Sequence, residues 1–346
     1  MFTQIQRRTP FLEILLGPHG VDRYTELVDP MWTSELRATV VGVRRSTPGS
    51  VTLRLLPNRP VPFRAGQHVG LTVEIDGRRH TRCYSPANAE GAAEIELTVT
   101  RRPGGLVSEY LYRAAHPEMV VGLGAAAGDF VLPEARPRRL LLIAGGSGIT
   151  PVMAMLRTLR RDGFDGEVAV LHYVPTLADA CYRAELAAMP DVRVLYACTR
   201  GSSGSAELQG HLTAEHLAAA MVDPDAVYVC GPPALVDAVR LRRPDAHAES
   251  FHSPPLVIPD SPGGGRITFH DSGIDVIDSG RPLLEQAEAA GLNPQSGCRM
   301  GICHTCPRRK LGGAVRNLNA GAISAADDCD VQICVSVPVG DVEIAL

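Results

Sequence analysis

The chain has 346 residues, 45% of them hydrophobic, which suits two or three packed domains and is far too apolar for a disordered polypeptide. A formal net charge of −4 offers no basic field for nucleic acid, and no stretch approaches the roughly 18–20 apolar residues of a membrane-spanning helix. Of the 34 basic residues all but Lys310 are Arg, and the nine cysteines are not spaced as a secreted disulfide scaffold, so a reducing cytoplasm is expected.

Residues 1–36 read as an irregular arm. Its apolar run Phe11–Leu16 is broken by Glu13 and lacks a small-residue cleavage site, a poor match to a signal peptide, and Trp32 is expected to anchor the arm by packing. Residues 37–135 are expected to form a small antiparallel β-barrel. Ala38–Val43, Val51–Leu56, Val69–Ile75 and Ile95–Thr100 are short, rich in branched residues and separated by turn formers, and one helix is predicted at Leu106–Ala115. Over 136–252 strands and helices alternate. Strands are predicted at Leu140–Ile143, Val168–Tyr173, Val192–Ala197, Val227–Cys230 and Ala246–Phe251, and helices at Pro151–Arg161, Ala180–Met189, Ala214–Met221 and Pro232–Arg242. That rhythm predicts a parallel sheet wrapped by helices. A Pro- and Gly-rich linker over 253–265 leads to a small α+β unit, 266–346, with strands at Arg266–Phe269 and Ile274–Ile277 and a helix at Pro282–Ala290.

Three motifs carry chemistry. Cys298, Cys303 and Cys306 stand in C-x4-C-x2-C spacing, with Cys334 after 27 further residues, the plant-type arrangement for four thiolates holding a [2Fe–2S] cluster. Gly297 and Gly301 allow close backbone approach. Zinc would want a second C-x2-C pair or added His. Cys329 competes with Cys334 for the fourth position, and Cys334 is preferred because Val331–Ser336 resembles the strand that delivers the last ligand in plant-type ferredoxins. In the barrel, Arg82-Cys83-Tyr84-Ser85 ends a strand. Pro103-Gly104-Gly105-Leu106-Val107-Ser108 opens a helix whose free N–H groups suit a phosphate. Finally, Gly145-Gly146-Ser147-Gly148-Ile149-Thr150-Pro151 follows a strand and starts a helix, the geometry for a pyrophosphate on a helix N-terminus.

Together these motifs resemble the ferredoxin–NADP reductase superfamily over about Leu36–Phe251, and a plant-type ferredoxin from Ile267 to Ile344. The resemblance implies an antiparallel β-barrel flavin domain, an α/β parallel-sheet nucleotide domain and an α+β ferredoxin domain of the β-grasp type. By that resemblance Arg82 pairs with the flavin phosphates, Tyr84 packs on the ring and Ser85 bonds near its N5. Gly105, Leu106, Val107 and Ser108 meet the pyrophosphate, with Arg101 as a helper. FAD is favoured over FMN. Cys230-Gly231-Pro232 and Glu249-Ser250-Phe251 match the end of the superfamily's nucleotide domain. They imply Cys230 against the nicotinamide, Phe251 over the flavin face, and Glu249 passing protons or holding Ser85. Thr199 and Arg200 follow the third parallel strand, and a hydroxyl with a guanidinium there favours NADPH over NADH.

The expected activity is an NAD(P)H-dependent reductase that sends electrons from NADPH through FAD and the cluster to an external acceptor. The arm segment Tyr24–Trp32 resembles partners of membrane fatty-acid desaturases, which would place the protein in the cytoplasm or peripherally at a membrane without spanning it. Ring-hydroxylating dioxygenases, hydroxylases and cytochromes P450 are alternative acceptors. A stand-alone flavin reductase or diaphorase, and a non-catalytic electron-carrier subunit, are readings from other classes. The unit from Arg266 carries 7 basic and 10 acidic residues, a mildly acidic face for a basic partner. Cys83, Cys181 and Cys198 are expected as buried structural thiols, and His68, His80 and His172 as strand residues with satisfied hydrogen bonds.

Overall fold

A computed structural model describes residue 31 and residues 35–200, 208–251, 264–297, 299, 301, 306–319 and 321–346. Most of the arm and most of the 253–265 linker, with Cys298 and Cys303, lie outside the described residues.

The first sheet contains β1 (Arg37–Thr47), β2 (Ser50–Pro57), β3 (Val69–Ile75), β4 (Arg78–Tyr84), β5 (Ile95–Thr100) and β6 (Val120–Leu123), with α1 (Leu106–Ala114) between the last two. Strand order is β4-β3-β6-β1-β2-β5, every pair antiparallel. A bridge between Pro86 and Leu97 brings the two edges together. Alternate residues point inward: Val51, Leu53 and Leu55, then Val69, Leu71 and Val73, then Ile95, Leu97 and Val99 form one core. Asp76 and Gly77 both have positive φ, 52° and 73°, so β3 and β4 are joined by the tight turn that matches strand twist.

The second sheet is parallel. Its strands are β7 (Arg139–Gly145), β8 (Glu167–Val174), β9 (Val192–Cys198), β10 (Leu208–Gln209), β11 (Ala226–Cys230) and β12 (His247–Glu249), ordered β10-β9-β8-β7-β11-β12. The chain leaves β7 toward β8 and later returns on its other side as β11. This reversal opens a crevice at the carboxyl ends of β7 and β11. Helices α2 (Ile149–Arg161), α3 (Arg183–Ala187), α4 (Ala214–Ala220) and α5 (Pro233–Arg240) cover the sheet. Pro151 is the third residue of α2, not the first, because a 3-10 turn over Gly146–Gly148 leads directly into the helix. The helix expected at Ala180–Met189 shrinks to α3. Tyr182 adopts a left-handed conformation (φ 61°) and sends its hydroxyl to Thr98 and Glu96 of the barrel, so tertiary bonding overrides local propensity.

The same seam holds Arg157 of α2, which reaches Glu96 Oε1 at 2.8 Å, Glu185 Oε2 at 2.6 Å and the Ala87 carbonyl at 2.8 Å. The barrel and the parallel sheet are thereby pinned through one guanidinium.

The third unit has β13 (Arg266–Phe269), β14 (Ile274–Ile277), α6 (Leu283–Ala289), β15 (Pro307–Asn317), β16 (Ile323–Ser324), β17 (Cys329–Gln332) and β18 (Ser336–Ile344). Strand order is β14-β13-β18-β15-β16, with β17 also on β15 and only the β13–β18 pair parallel. Leu283, Leu284 and Ala287 of α6 pack with Ile267, Phe269 and Ile344. The strand expected at Val331–Ser336 is interrupted: Ile333–Val335 is a turn, so a corner and not a strand presents Cys334. Lys310 is fully buried, its ammonium donating to the carbonyls of Gly313 and Ala326, both at 2.6 Å.

Candidate functional site

At the β7–β11 crevice the backbones come together with no room for side chains. A Cβ on Gly148 would lie 2.0 Å from the Cys230 carbonyl oxygen, and one on Gly145 would lie 2.6 Å from Pro232 Cδ. The Gly231 backbone packs on Gly145 in the same way, at 3.0 Å from an ideal Cβ to Gly145 Cα. These glycines expose the start of α2 to a ligand. Thr150 is buried and its hydroxyl donates to the Ser147 carbonyl at 3.1 Å, tightening the turn. Beneath it His172 is fully buried, with Nε2 3.2 Å from the Gly146 carbonyl; burial, only partly opposed by that bond, pulls its pKa down to about 4. The imidazole is neutral and its N–H holds the glycine loop. The sequence reading missed this role because nothing in a strand residue's local context shows what packs above it.

Beside the crevice stands a group of ionisable side chains, two buried and one partly buried. Cys230 Sγ lies 3.9 Å from Glu249 Oε2, and Glu249 Oε1 lies 3.6 Å from His68 Nδ1. Burial first, and then Glu249, push the Cys230 thiol well above the ordinary cysteine range. His68 is buried, and neither ring nitrogen has a hydrogen-bond partner among the described residues, contrary to the expectation of a satisfied strand histidine. Phe251 follows β12 and packs against the core shared by the barrel and the sheet.

On the barrel side Ser85 is 1% exposed and its Oγ has no partner among the described residues. A buried hydroxyl left unsatisfied costs about 1–3 kcal/mol, so Ser85 is open to a partner from outside the described residues. Tyr84 packs on the barrel core, and burial pushes its phenol up to about 12. Gly105 caps α1, with no space for a Cβ: the Ser108 hydroxyl would lie at 2.7 Å. Ser108 accepts from the Arg102 N–H and donates to the Gly105 carbonyl, both at 3.1 Å, while Val107 is buried and Leu106 is 48% exposed. The expected helper Arg101 turns elsewhere, over the Tyr112 ring at 5.2 Å and toward Glu109 at 4.0 Å. Arg82 and, after it, the neighbour Arg102 oppose the rise at Tyr84. A one-residue step along the chain reverses the side of the strand end on which the guanidinium falls.

Thr199 and Arg200 are held to the end of β8, the Thr199 N–H on the Val174 carbonyl at 2.9 Å and the Arg200 N–H on the Pro175 carbonyl at 3.0 Å. Arg200 is exposed.

In the third unit Cys306 and Cys334 are buried in its core, and neither is in a disulfide. Gly301 has φ 75° and packs on Val335, and its carbonyl accepts from Gln332 Nε2 at 2.8 Å. The loop is therefore pulled onto the Ile333–Val335 turn. In the β15–β17 register Pro307 opposes Gln332 and Lys310 opposes Cys329. Cys334 thus turns at the Cys306 end of the pair. Cys329 lies three pairs away, about 10 Å along the strands, with its thiol 3.0 Å from the Ala326 carbonyl. The buried thiols, the left-handed glycine and the tight loop suit a thiolate-held cluster; among the described residues no group of three or more metal-binding side chains occurs.

The loop also meets the barrel. Arg82 Nη1 donates to the Gly297 carbonyl at 3.2 Å and to the Thr81 carbonyl at 2.8 Å. Arg299 bonds Glu288 of α6 through both terminal nitrogens, at 3.0 and 2.6 Å. His80, between Arg78 and Arg82 on β4, has its pKa lowered by burial and by the charges of Arg82, Arg299 and Arg78.

A closed antiparallel sheet followed by a parallel sheet, with a glycine-lined crevice at the ends of β7 and β11, defines an NAD(P)H oxidoreductase of the ferredoxin reductase superfamily. Residues 51–131 match the oxidoreductase FAD-binding domain family and residues 142–241 the oxidoreductase NAD-binding domain family. The chain belongs to the family of the NADPH oxidoreductase of Mycobacterium tuberculosis (strain ATCC 25618 / H37Rv), to which it is 35% identical over 334 residues, covering 92% of this chain and 87% of that protein. It is also 27% identical to the glycine betaine monooxygenase reductase subunit of Chromohalobacter salexigens, over 85% of this chain and 90% of that one. The fold is shared with phthalate dioxygenase reductase, a modular structure for electron transfer from pyridine nucleotides to [2Fe–2S]. There the TM-score is 0.63 at 23% identity, with 90% of this chain and 98% of that chain covered. Related proteins thus include reductase components of oxygenases.

Proposed function

We propose that the protein takes electrons from NADPH through FAD and a [2Fe–2S] cluster and hands them to an oxygenase-type acceptor. The observation that carries this reading is the Arg82–Gly297 hydrogen bond, which sets the residue before Cys298 against the flavin motif. The cluster loop and the flavin site are then neighbours, as sequential electron transfer requires. When bound, the flavin accepts a hydride from the nicotinamide and the cluster carries single electrons onward.

The chain's own residues prepare these groups. Gly145, Gly146, Gly148 and Thr150–Pro151 would hold the pyrophosphate of the nucleotide, with Thr199 and Arg200 at the adenosine ribose and Gly231 and Pro232 closing the crevice. Cys230 would stand against the nicotinamide, kept as a neutral thiol by burial and by Glu249. Arg82, Gly105, Leu106, Val107 and Ser108 would bind the flavin phosphates, Tyr84 and Phe251 would enclose the ring, and Ser85 would offer its unsatisfied hydroxyl to it. Cys298, Cys303, Cys306 and Cys334 would ligate the iron, in a unit we read as a β-grasp ferredoxin domain over 266–346.

The relative named an NADPH oxidoreductase supports NADPH over NADH, and relatives named as oxygenase reductase subunits support an oxygenase as acceptor. A fatty-acid desaturase remains the acceptor that the arm segment Tyr24–Trp32 suggests, although that segment lies outside the described residues save Met31. Among the described residues no helix is long and apolar enough to cross a membrane.

An anaerobic NADPH titration followed by visible absorption and low-temperature EPR tests this. Flavin bleaching with the signal of a reduced [2Fe–2S] centre is expected. In Cys303→Ser the bleaching should persist while reduction of one-electron protein acceptors is lost; undiminished transfer in that variant would refute the route.

A further inference from the structure

Arg82 belongs to two places at once. It stands in the strand end that faces the flavin position, yet its Nη1 spends its two hydrogens on backbone carbonyls, Thr81 at 2.8 Å and Gly297 at 3.2 Å. Nε and Nη2 donate to no described residue. Those two N–H groups form the side-on edge of the guanidinium, the edge that fits two oxygens of a phosphate. A single planar group can therefore grip a phosphate on one edge and the cluster loop on the other. The far side of the loop is fixed too, because Arg299 is clamped on Glu288 of α6.

We infer that Arg82 is a positioning residue that couples flavin phosphate binding to docking of the cluster loop on the barrel. This rests on the proposed electron-transfer reading. With only Nη1 engaged, the guanidinium is held at one end, and its bond to Gly297 is the longer of the two at 3.2 Å. A phosphate on Nε and Nη2 would hold the other end and so restrain the donor that meets Gly297. Linkage makes the effect reciprocal: a docked loop tightens phosphate binding by the same factor. The loop already meets the barrel through Gly297, and a bound flavin phosphate would hold it there more firmly.

Hydrogen exchange of the full-length, cluster-loaded, flavin-depleted protein tests this without any turnover. Saturating FAD is expected to slow exchange of the amides over 288–297 by about 5-fold or more, the low end of typical site–site coupling. Riboflavin, which has the same ring and no phosphate, should leave that segment unprotected at matched occupancy. In Arg82→Lys, FAD affinity should drop roughly 10-fold, since an ammonium replaces a fork, and at saturating FAD the protection over 288–297 should be absent. Equal protection by riboflavin and FAD, equal protection in Arg82→Lys, or no effect of FAD in the wild type would overturn the coupling. A protein that takes up neither FAD nor a cluster would overturn the electron-transfer reading itself, a distinguishable result.

Discussion

Cys230 Sγ and Glu249 Oε2 stand 3.9 Å apart across neighbouring parallel strands, the thiol facing the carboxylate. Burial is the larger reason the thiol stays protonated and the carboxylate the smaller one. Glu249→Gln removes the anion but not the burial. The thiol pKa should then fall toward the ordinary range without reaching it. Iodoacetamide labelling of flavin-free protein across pH is the check, and an unchanged profile would mean that the carboxylate is not felt at the sulfur.

His172 should make the protein sensitive to acid. Its folded pKa of about 4 lies below the ordinary value of 6.5, so the unfolded chain takes up a proton that the folded one refuses. Stability is therefore full above about pH 6.5 and is lost as pH falls toward 4, by about 3 kcal/mol if nothing else titrates. His172→Gln keeps an N–H for the Gly146 carbonyl but cannot titrate. Urea melts of the two proteins between pH 7 and 4 should diverge, the variant losing less.

Gly148→Ala places a methyl group 2.0 Å from the Cys230 carbonyl oxygen, backbone against backbone, so neither side can yield by a rotamer change. The crevice must open. A stability loss of about 1–3 kcal/mol, together with NADPH binding weakened at least roughly tenfold, is expected. Thermal melts and nucleotide titrations of the same preparation separate the two effects.

Arg157 joins Glu96 of the barrel to Glu185 of the parallel-sheet unit. Arg157→Met leaves two partly buried carboxylates without their cation and should cost about 3–5 kcal/mol. Scanning calorimetry should also show the unfolding of the two units drawing apart as they uncouple; a variant as stable as the wild type would show that the pair is replaceable.

The register that separates Cys329 from Cys306 gives a direct comparison. Cys334→Ser should lose the visible absorbance of the cluster and its iron, and Cys329→Ser should keep both. Loss of iron in the second variant alone would assign the fourth ligand to Cys329.

Much of this architecture was legible in the sequence because local rules govern it. Branched residues separated by turns marked β1, β2, β3 and β5, and β–α alternation with a glycine turn marked the parallel sheet and its crevice. C-x4-C-x2-C spacing marked the loop that we propose holds the cluster. Other features depend on what lies across a domain seam, and no window of sequence contains that. Tyr182 breaks the helix expected at Ala180–Met189 because Thr98 and Glu96 bond it from the barrel. Arg101 lies over Tyr112 and toward Glu109, a matter of how one strand ends.

The sequence alone thus determined the motifs, the order of the units and the chemistry their residue types suit, since these rest on identity and spacing. Only the tertiary structure decided that partly buried Glu249 stands between buried His68 and Cys230, that His172 holds the glycine loop, and that Arg82 meets Gly297. Arg82 and Gly297 are 215 residues apart in the chain. Their contact is a product of packing between separately folded sheets, where hydrogen-bond geometry and burial, not local propensity, select the partner.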